Sequence, residues 1–319
     1  MRLFYFVNEV SYFKYVVAAG ENDPSVTFSK PIVNGLLKRL YRYHNAWSVN
    51  RYFELPFRYL WLRLMMKDFV ADSSDDFIIL MSEPHHLSYS KKSIQKLRCR
   101  FPSAKICLQL VNPIDNDILE RIKHVRESYD AIVSFYKYDA IKYDLLFFDS
   151  YPFKLPILRD DNLEKSDLFF VGADKGRLNL LMKLYDKATS VGLKCIFHIT
   201  EVPQEKQIPK EGITYNRWMD YETVLKHTYN TKCVIEVING DYVSQRTQEA
   251  LTYHKKILTT NKNARELPYF GKIVYLLEDD VDKMDFSFIK RDLEDTEFDK
   301  YVDFRSFDSL KAFLRDNVK

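Results

Sequence analysis

The sequence predicts an α/β fold in which two Rossmann-like domains, each built on a parallel sheet, face each other across a cleft. Short apolar runs alternate with segments of helical periodicity through the second half of the chain. This alternation is typical of parallel strands that are covered by helices on both faces. The first half repeats the pattern less regularly, and a segment with two prolines and no clear period separates the halves.

The individual elements follow from apolar periodicity and from the turn residues between them. The predicted strands are residues 2–8, 76–82, 105–112, 130–135, 167–173, 194–200, 233–239, 256–261 and 272–278. The predicted helices are residues 32–44, 57–70, 91–101, 116–129, 176–192 and 220–230, with a further helix that begins near Ser244. Strands joined by such helices require right-handed crossovers.

The domain boundary is predicted in residues 148–167, which contain Pro152 and Pro156. We therefore assign residues 1–155 to an N-terminal domain and residues 156–319 to a C-terminal domain. Each would have the size of an ordinary folded domain. In two such domains, ligands are expected beyond the carboxyl ends of the strands.

Composition excludes several classes of protein. Hydrophobic residues make up 46% of the chain and charged residues 29%, which is a globular composition. The formal net charge of +3 is small for 319 residues and gives no case for nucleic-acid binding. The four cysteines form no C-x-x-C pair, so zinc is not expected. No segment has the length and apolarity of a signal peptide or a spanning helix, which predicts a cytoplasmic protein.

The segment 172–177, "GADKGR", follows a predicted strand and enters a helix. Gly172 relaxes the backbone there, and Lys175 and Arg177 add positive charge beside free N–H groups. This pattern indicates a phosphate contact or, alternatively, an exposed basic loop. A second loop, residues 215–221, contains Trp218. It could seat a nucleobase edge or be an ordinary packed loop.

A third candidate is the start of the helix in "SQRTQEALTYHKKILTTN", residues 244–261. Arg246 and Glu249 lie one turn apart, behind a predicted buried strand, and Thr247 on the same turn is a further candidate for contact with the ligand. An Arg can donate two hydrogen bonds to phosphate oxygens, and a Glu can accept from ribose hydroxyls. The alternative is a surface salt bridge between the two, which would contribute little to stability.

The spacing Asp241-x7-Glu249, followed by "EALTYHKKILTTN", resembles the E-x7-E region of GT-B glycosyltransferases. Together with "FFVGADKGRL" it is similar to glycosyltransferases of bacterial polysaccharide and lipopolysaccharide biosynthesis. The resemblance implies that Glu249 binds the donor ribose, and that Arg246 and Lys175 contact the diphosphate. It places Asp241 near the donor sugar.

The resemblance also implies a function: transfer of a sugar from a nucleotide-sugar donor to a cell-surface glycan or a lipid-linked acceptor. The C-terminal domain would bind the donor and the N-terminal domain the acceptor. Basic side chains and a helix terminus can stabilise the leaving diphosphate, so neither a metal nor another cofactor is expected. A base must take the acceptor proton if the reaction inverts configuration. The candidates are Glu83, His85 and His86, which directly follow the predicted strand 76–82.

Other interpretations remain open from the sequence. The fold could serve a nucleotide-sugar epimerase, or a non-catalytic nucleotide-binding subunit of a polysaccharide assembly. Asp280 and Asp282 have the D-x-D spacing of a metal site, although acidic runs are more often solvated. The stretch 38–67 mixes arginines and lysines with aromatic residues. It fits peripheral contact with the inner membrane, the wall of a cleft, or an ordinary covering helix.

Overall fold

The computed structural model describes two compact units. It covers residues 1–7, 13–32, 35–67, 69–71, 76–83, 85–148, 155–238, 244–277, 280–301 and 306–318. The first unit consists of Met1–Lys154 together with Phe304–Lys319, and the second is Leu155–Asp303.

Each unit contains one six-stranded sheet, and all the pairings between described strands are parallel. The strands of the first unit are β1 Arg2–Phe6, β2 Val26–Phe28, β3 Phe77–Ser82, β4 Lys105–Leu110, β5 Ala131–Ser134 and β6 Leu146–Phe147. Those of the second are β7 Ser166–Ala173, β8 Cys195–Thr200, β9 Ile213–Tyr215, β10 Thr231–Glu236, β11 Lys256–Thr259 and β12 Val274–Leu276.

The helices are named in chain order. Those of the first unit are α1 Phe13–Gly20, α2 Gly35–His44, α3 Trp47–Asn50, α4 Tyr59–Met65, α5 Lys91–Arg100, α6 Asn116–Val125 and α7 Lys137–Tyr143, with the later α13 Phe307–Asn317. Those of the second are α8 Leu178–Ser190, α9 Tyr221–Tyr229, α10 Gln245–Thr252, α11 Ser287–Lys290 and α12 Asp295–Asp299. No helix in the described ranges is both long and apolar enough to cross a membrane.

The first sheet has the strand order β2-β1-β3-β4-β5-β6. Its central strand β3 is buried along its whole length, as expected of a parallel strand with helices on both faces. Phe4, Phe77 and Ile106 from neighbouring strands lie in one apolar cluster with Leu97 of α5 and Ile122 of α6. The amphipathic helices are therefore held mainly by their apolar stripes on this sheet.

The C-terminal helix α13 belongs to the first unit. Its Phe307 ring lies 5.7 Å from that of Phe28, and its Phe313 ring 5.1 Å from that of Phe148. Lys311 forms a 2.9 Å ion pair with Asp23. The boundary predicted from the sequence places all of residues 156–319 in the C-terminal domain. The structure differs because the aromatic side chains of α13 pack against elements of the first unit.

The second sheet has the order β12-β11-β10-β7-β8-β9. The chain therefore starts in the middle, at β7, adds β8 and β9 on one side, and then returns to add β10 on the other. Connections after β7 and β10 diverge at this reversal of strand order, which opens a crevice at the carboxyl edge. The first sheet has the same reversal between β1 and β3.

We predict that Gly212→Ala destabilises the second unit far more than Gly192→Ala. Both glycines have a positive φ, +74° and +82°, which costs an alanine roughly 1–2 kcal/mol. A Cβ on Gly212 would also lie 2.1 Å from the Cys195 carbonyl oxygen, whereas no atom lies within 4 Å of one on Gly192. Relieving that overlap should cost about 1–3 kcal/mol more. Urea unfolding measures the difference, and equal losses in the two variants would contradict the packing of β9 on β8.

Candidate functional sites

The crevice of the second sheet contains the predicted pair Arg246 and Glu249. Both lie on the first turns of α10, whose N-cap is Ser244. The Glu249 side chain is almost completely buried. One of its oxygens accepts a 2.6 Å hydrogen bond from Arg246 Nη1, and the other accepts a 2.8 Å bond from the Tyr221 hydroxyl. The pair is thus a buried network and not the surface salt bridge considered as an alternative.

Tyr221 extends this network to a second helix. It begins α9, and its hydroxyl also accepts a 2.8 Å hydrogen bond from Gln245 Nε2. Burial, together with the adjacent carboxylate of Glu249, raises the pKa of Tyr221 well above its usual value, so the phenol stays a hydrogen-bond donor. About a quarter of the Arg246 side chain is exposed, so its guanidinium is accessible to a ligand.

Glu236 is a site residue that sequence reasoning missed. It ends β10 and is 4% exposed, yet its carboxylate accepts hydrogen bonds from three hydroxyls. These are Ser244 Oγ, Thr247 Oγ1 at 2.9 Å and Thr259 Oγ1 at 2.6 Å. The carboxylate thereby joins the first turn of α10 to β10 and β11. The signal was present in "CVIEVIN", where one acid interrupts an otherwise apolar strand.

Thr247, which lies on the same turn of α10, has a hydrogen-bond partner within the fold. It is 3% exposed, and its hydroxyl points to Glu236. Contact with a donor, which sequence analysis predicts, would require that bond to be exchanged. The prediction for Thr247 stays a prediction.

The segment 172–177 is organised by Arg177. Its guanidinium donates to the carbonyl oxygens of Ala173, Asp174 and Val237 and lies 5.3 Å from the Phe170 ring centroid. A Cβ on Gly172 would lie 3.1 Å from Arg177 Nη2, so the glycine makes room for this group. In this structure Arg177 joins the carboxyl ends of β7 and β10.

Lys175, in contrast, is exposed in the same turn, with a φ of +42°. Asp174 accepts a 2.7 Å hydrogen bond from the Leu178 amide and so satisfies one N–H at the start of α8. Of the two predicted cations of this turn, Lys175 is the one placed to meet an anionic ligand.

Trp218 lies in the loop between β9 and α9 and is 76% exposed. The loop is anchored by Asn216, whose side-chain amide bonds both the backbone N–H and the carbonyl of Val202, at 2.9 and 2.7 Å. Asn216 itself has a φ of +52°, a conformation that asparagine tolerates better than most residues. The indole is thus presented to solvent from a fixed loop.

In the first unit, Glu83 directly follows β3 at the reversal of strand order. Its carboxylate is buried and accepts a 2.7 Å hydrogen bond from Asn112 Nδ2. Burial raises the pKa of Glu83 above its ordinary value, and the bond from Asn112 opposes this in part. A carboxyl group with a raised pKa at such an edge has the properties of a general acid or base.

His85 is also buried, with its ring 5.2 Å from that of Phe6. Its Nδ1 accepts a 3.3 Å hydrogen bond from the Leu87 amide, which favours the tautomer protonated at Nε2. His86 begins the 3₁₀ turn His86–Tyr89, and its side chain is not among those that the structure describes. Asp241 also lies outside the described residues.

A cationic side chain and two aromatic rings beside Glu83 were not predicted from the sequence. The Arg121 guanidinium carbon lies 5.3 Å from the Tyr89 ring centroid and 5.5 Å from that of Trp47. The charge of Arg121 lowers the pKa of Glu83, although less than burial raises it. These side chains come from three separate segments, so only the folded chain brings them together.

The D-x-D spacing at Asp280 has a structural use. Asp280 accepts a 3.2 Å hydrogen bond from the Asp282 amide and forms a 3.0 Å ion pair with Lys283. Among the described residues, no group of three or more His, Cys, Asp or Glu side chains could hold a metal ion.

Comparison with solved structures identifies proteins of the same fold. Trehalose-6-phosphate synthase OtsA matches with a TM-score of 0.60 and 11% identity over 99% of this chain and 98% of that one. An α,α-trehalose-phosphate synthase (UDP-forming) from Burkholderia vietnamiensis matches with a TM-score of 0.54 and 11% identity, over 99% and 96%. A similar enzyme from Burkholderia xenovorans, in complex with glucose-6-phosphate, gives 0.53 and 12%, over 99% and 95%.

No protein-family model matches the sequence, and no curated protein sequence matches it significantly. The structural matches cover almost all of the chain, so the likeness extends through both units. The predicted fold class, two Rossmann-like domains with parallel sheets as in GT-B glycosyltransferases, is confirmed.

We predict that Glu236→Gln lowers the free energy of unfolding by about 1.5–3 kcal/mol, because hydrogen bonds to a charged acceptor are lost. Urea unfolding measures this loss. Glu205→Gln, at an exposed position of the same unit, is the matched control. Unchanged stability of the Glu236 variant would contradict the role given to this carboxylate.

Proposed function

We propose that this protein is a glycosyltransferase that transfers a sugar from a nucleotide-sugar donor to a cell-surface glycan or a lipid-linked acceptor. The observation that carries the proposal is the buried network of Arg246, Glu249 and Tyr221 at the crevice of the second sheet. Buried charged groups at this edge of a Rossmann-like sheet are where nucleotides bind. The fold shared with the UDP-forming synthases supports the same conclusion.

The donor would bind with its ribose on Glu249 and its diphosphate on Arg246 and Lys175. In the structure both Glu249 oxygens accept hydrogen bonds from side chains, so two ribose hydroxyls would replace the donors Tyr221 and Arg246. The released guanidinium would then be available to the phosphate oxygens, where bidentate hydrogen bonds are strong. Trp218 would lie beside the nucleobase, and Gly172, whose open side is occupied by Arg177, would support the turn that carries Lys175.

The leaving diphosphate would be stabilised by these cations and by backbone N–H groups, without a metal or other cofactor. Asp241 is proposed to lie near the donor sugar. On the acceptor side, Glu83 is the favoured base because it combines burial with a raised pKa at the corresponding edge of the first sheet. His85 and His86 would either share that role or orient the carboxylate.

We predict that Arg246→Ala and Glu249→Gln each weaken binding of a nucleoside diphosphate by about tenfold to a hundredfold. Hydrogen bonds to charged groups contribute about 1.5–3 kcal/mol, which corresponds to that range. Calorimetry with UDP and GDP measures the affinities. Lys183→Ala removes an exposed cation on the outer part of α8 and is the control. Unchanged affinity in both site variants, with unchanged thermal unfolding, would remove the donor site from α10.

We predict that Glu83→Gln lowers turnover much more than donor affinity, because a base acts in the transition state. Turnover of the unmodified enzyme should rise with pH through the raised pKa of Glu83, since only the carboxylate accepts a proton. This rise should be absent from the variant. Measuring nucleotide release against pH, with and without EDTA, tests both the base and the absence of a metal.

The control for the base is Glu127→Gln, which changes an exposed acid of the same unit. Near-normal turnover of alanine variants at all of Glu83, His85 and His86 would exclude these residues as the base. Activity that is lost in EDTA and restored by magnesium would contradict metal-independent transfer.

A further inference from the structure

Helices α2 and α4 of the first unit, together with the segment between them, expose an unusual number of large apolar side chains. Leu40 is 53% exposed, Tyr43 68% and Phe57 63%. The complete set in residues 35–67 is Leu36, Leu37, Leu40, Tyr43, Tyr52, Phe53, Phe57, Leu60 and Leu64. We call this set the apolar face. Such a concentration in one short stretch differs from the scattered apolar residues of ordinary surfaces and marks an interaction surface.

The two helices pack against each other through a different set of residues. The Tyr41 and Trp61 rings lie 5.4 Å apart, and Trp61 Nε1 donates a 2.8 Å hydrogen bond to His44 Nδ1. On α2, Leu40 and Tyr43 are three residues apart and share a side of the helix, while Tyr41 is turned inward and buried. On α4, Leu60 and Leu64 share the exposed side, and Leu62 and Met65 are buried. The two helices therefore pack against each other without using the residues of the apolar face.

The charges of this region are strongly unbalanced. Residues 35–67 contain Lys38, Arg39, Arg42, Arg51, Arg58, Arg63 and Lys67, but Glu54 is their one acid. Glu54 is turned into the fold, where it pairs with Arg58 at 3.2 Å and accepts a hydrogen bond from the Lys92 amide. Residues 35–67 therefore carry seven cationic side chains and one acidic one.

The cations next to the apolar face are exposed. Arg39 and Arg42 lie on α2, Arg63 lies on α4, and Lys67 follows α4. Within the part of the chain that the structure describes, none of these four forms an ion pair. The apolar face contains tyrosines and is flanked by exposed cations. This is the composition of a helix surface that lies in the headgroup region of a membrane.

Phe57 supplies an independent observation. Its φ is +62°, in the left-handed region that residues with a side chain rarely adopt, and its ring is exposed. Strain of this kind is retained where the surrounding structure imposes it, and it is found preferentially at functional positions. Here the strained residue lies just before α4 and exposes an aromatic ring three residues from Leu60.

We propose that the apolar face docks the enzyme onto an anionic lipid bilayer, with Arg39, Arg42, Arg63 and Lys67 contacting lipid phosphates. A second copy of the chain is a less favourable occupant, because a two-fold contact would bring the same cations against each other. The inference deepens the proposed function, since a lipid-linked acceptor would be met at this surface. Membrane binding is nevertheless measured without donor or turnover, so either proposal can fail without the other.

The test is flotation of the full-length protein with vesicles of phosphatidylcholine, with or without phosphatidylglycerol. We expect binding to the anionic vesicles that weakens as salt is raised. Arg39→Gln with Arg42→Gln should reduce partitioning roughly 25-fold, since each cation near an anionic surface contributes about a fivefold factor. Leu40→Ser with Leu64→Ser should abolish binding through loss of the inserted apolar groups.

The controls are matched in exposure. Ile208→Ser changes an apolar residue of the second unit that is 53% exposed, as Leu40 is. Lys123→Gln with Lys183→Gln removes two exposed cations elsewhere. Both should bind vesicles as the unmodified protein does. All the altered side chains are exposed, and circular dichroism verifies that each variant is folded.

Several outcomes would overturn the proposal. One is no binding of the unmodified protein to anionic vesicles. Another is equal binding to neutral vesicles with no effect of the arginine substitutions. A third is self-association in solution that the leucine substitutions remove, without vesicle binding, because the face would then be an interface between copies.

Discussion

The candidate donor site depends on one buried carboxylate, that of Glu236. It ends β10, and its hydroxyl partners place the first turn of α10 against β10 and β11. Burying a charge is costly unless hydrogen bonds compensate for it, and here three hydroxyls do so. Arg246 and Glu249 lie on the same turns of α10, so their position follows from this anchoring. The network with Tyr221 then connects α10 to α9.

Both units place an acidic residue near the point where their strand order reverses. Glu83 directly follows β3 in the first unit, and its pKa is raised by burial. Glu249 lies on α10, the helix after β10 in the second unit, and is held by an arginine and a tyrosine. The difference in environment suits different tasks: a carboxyl with a raised pKa can exchange protons, whereas a carboxylate between donors suits hydroxyl recognition.

Much of the fold could be predicted from the sequence because its strands are apolar runs. The predicted strand 76–82 corresponds to β3, and 105–112 contains β4. The short edge strands β2, β6 and β9 were missed, since two or three residues give no usable period. The predicted helix 57–70 is shorter in the structure, where α4 ends at Met65. The packing of α13 on the first unit could not be foreseen, because it depends on aromatic contacts across almost the whole chain.

Contacts between distant residues also limited how much of the candidate sites could be predicted. Sequence patterns identified the loops after the strands, because parallel topology brings those loops to one edge. They did not reveal that Arg177 bonds backbone carbonyls or that the Thr247 hydroxyl faces Glu236. Such pairings join residues distant in the chain, as Arg121 and Tyr89 do beside Glu83. Local composition carries no information about them.

The central claim is that a nucleotide sugar binds at the carboxyl edge of the second sheet. A crystal structure with a bound nucleoside diphosphate tests it most directly. The account predicts ribose hydroxyls within hydrogen-bonding distance of the Glu249 carboxylate, with the Tyr221 hydroxyl displaced and the Arg246 guanidinium on the diphosphate. A nucleotide bound elsewhere on the chain, with the bonds among Arg246, Glu249 and Tyr221 intact, would contradict it.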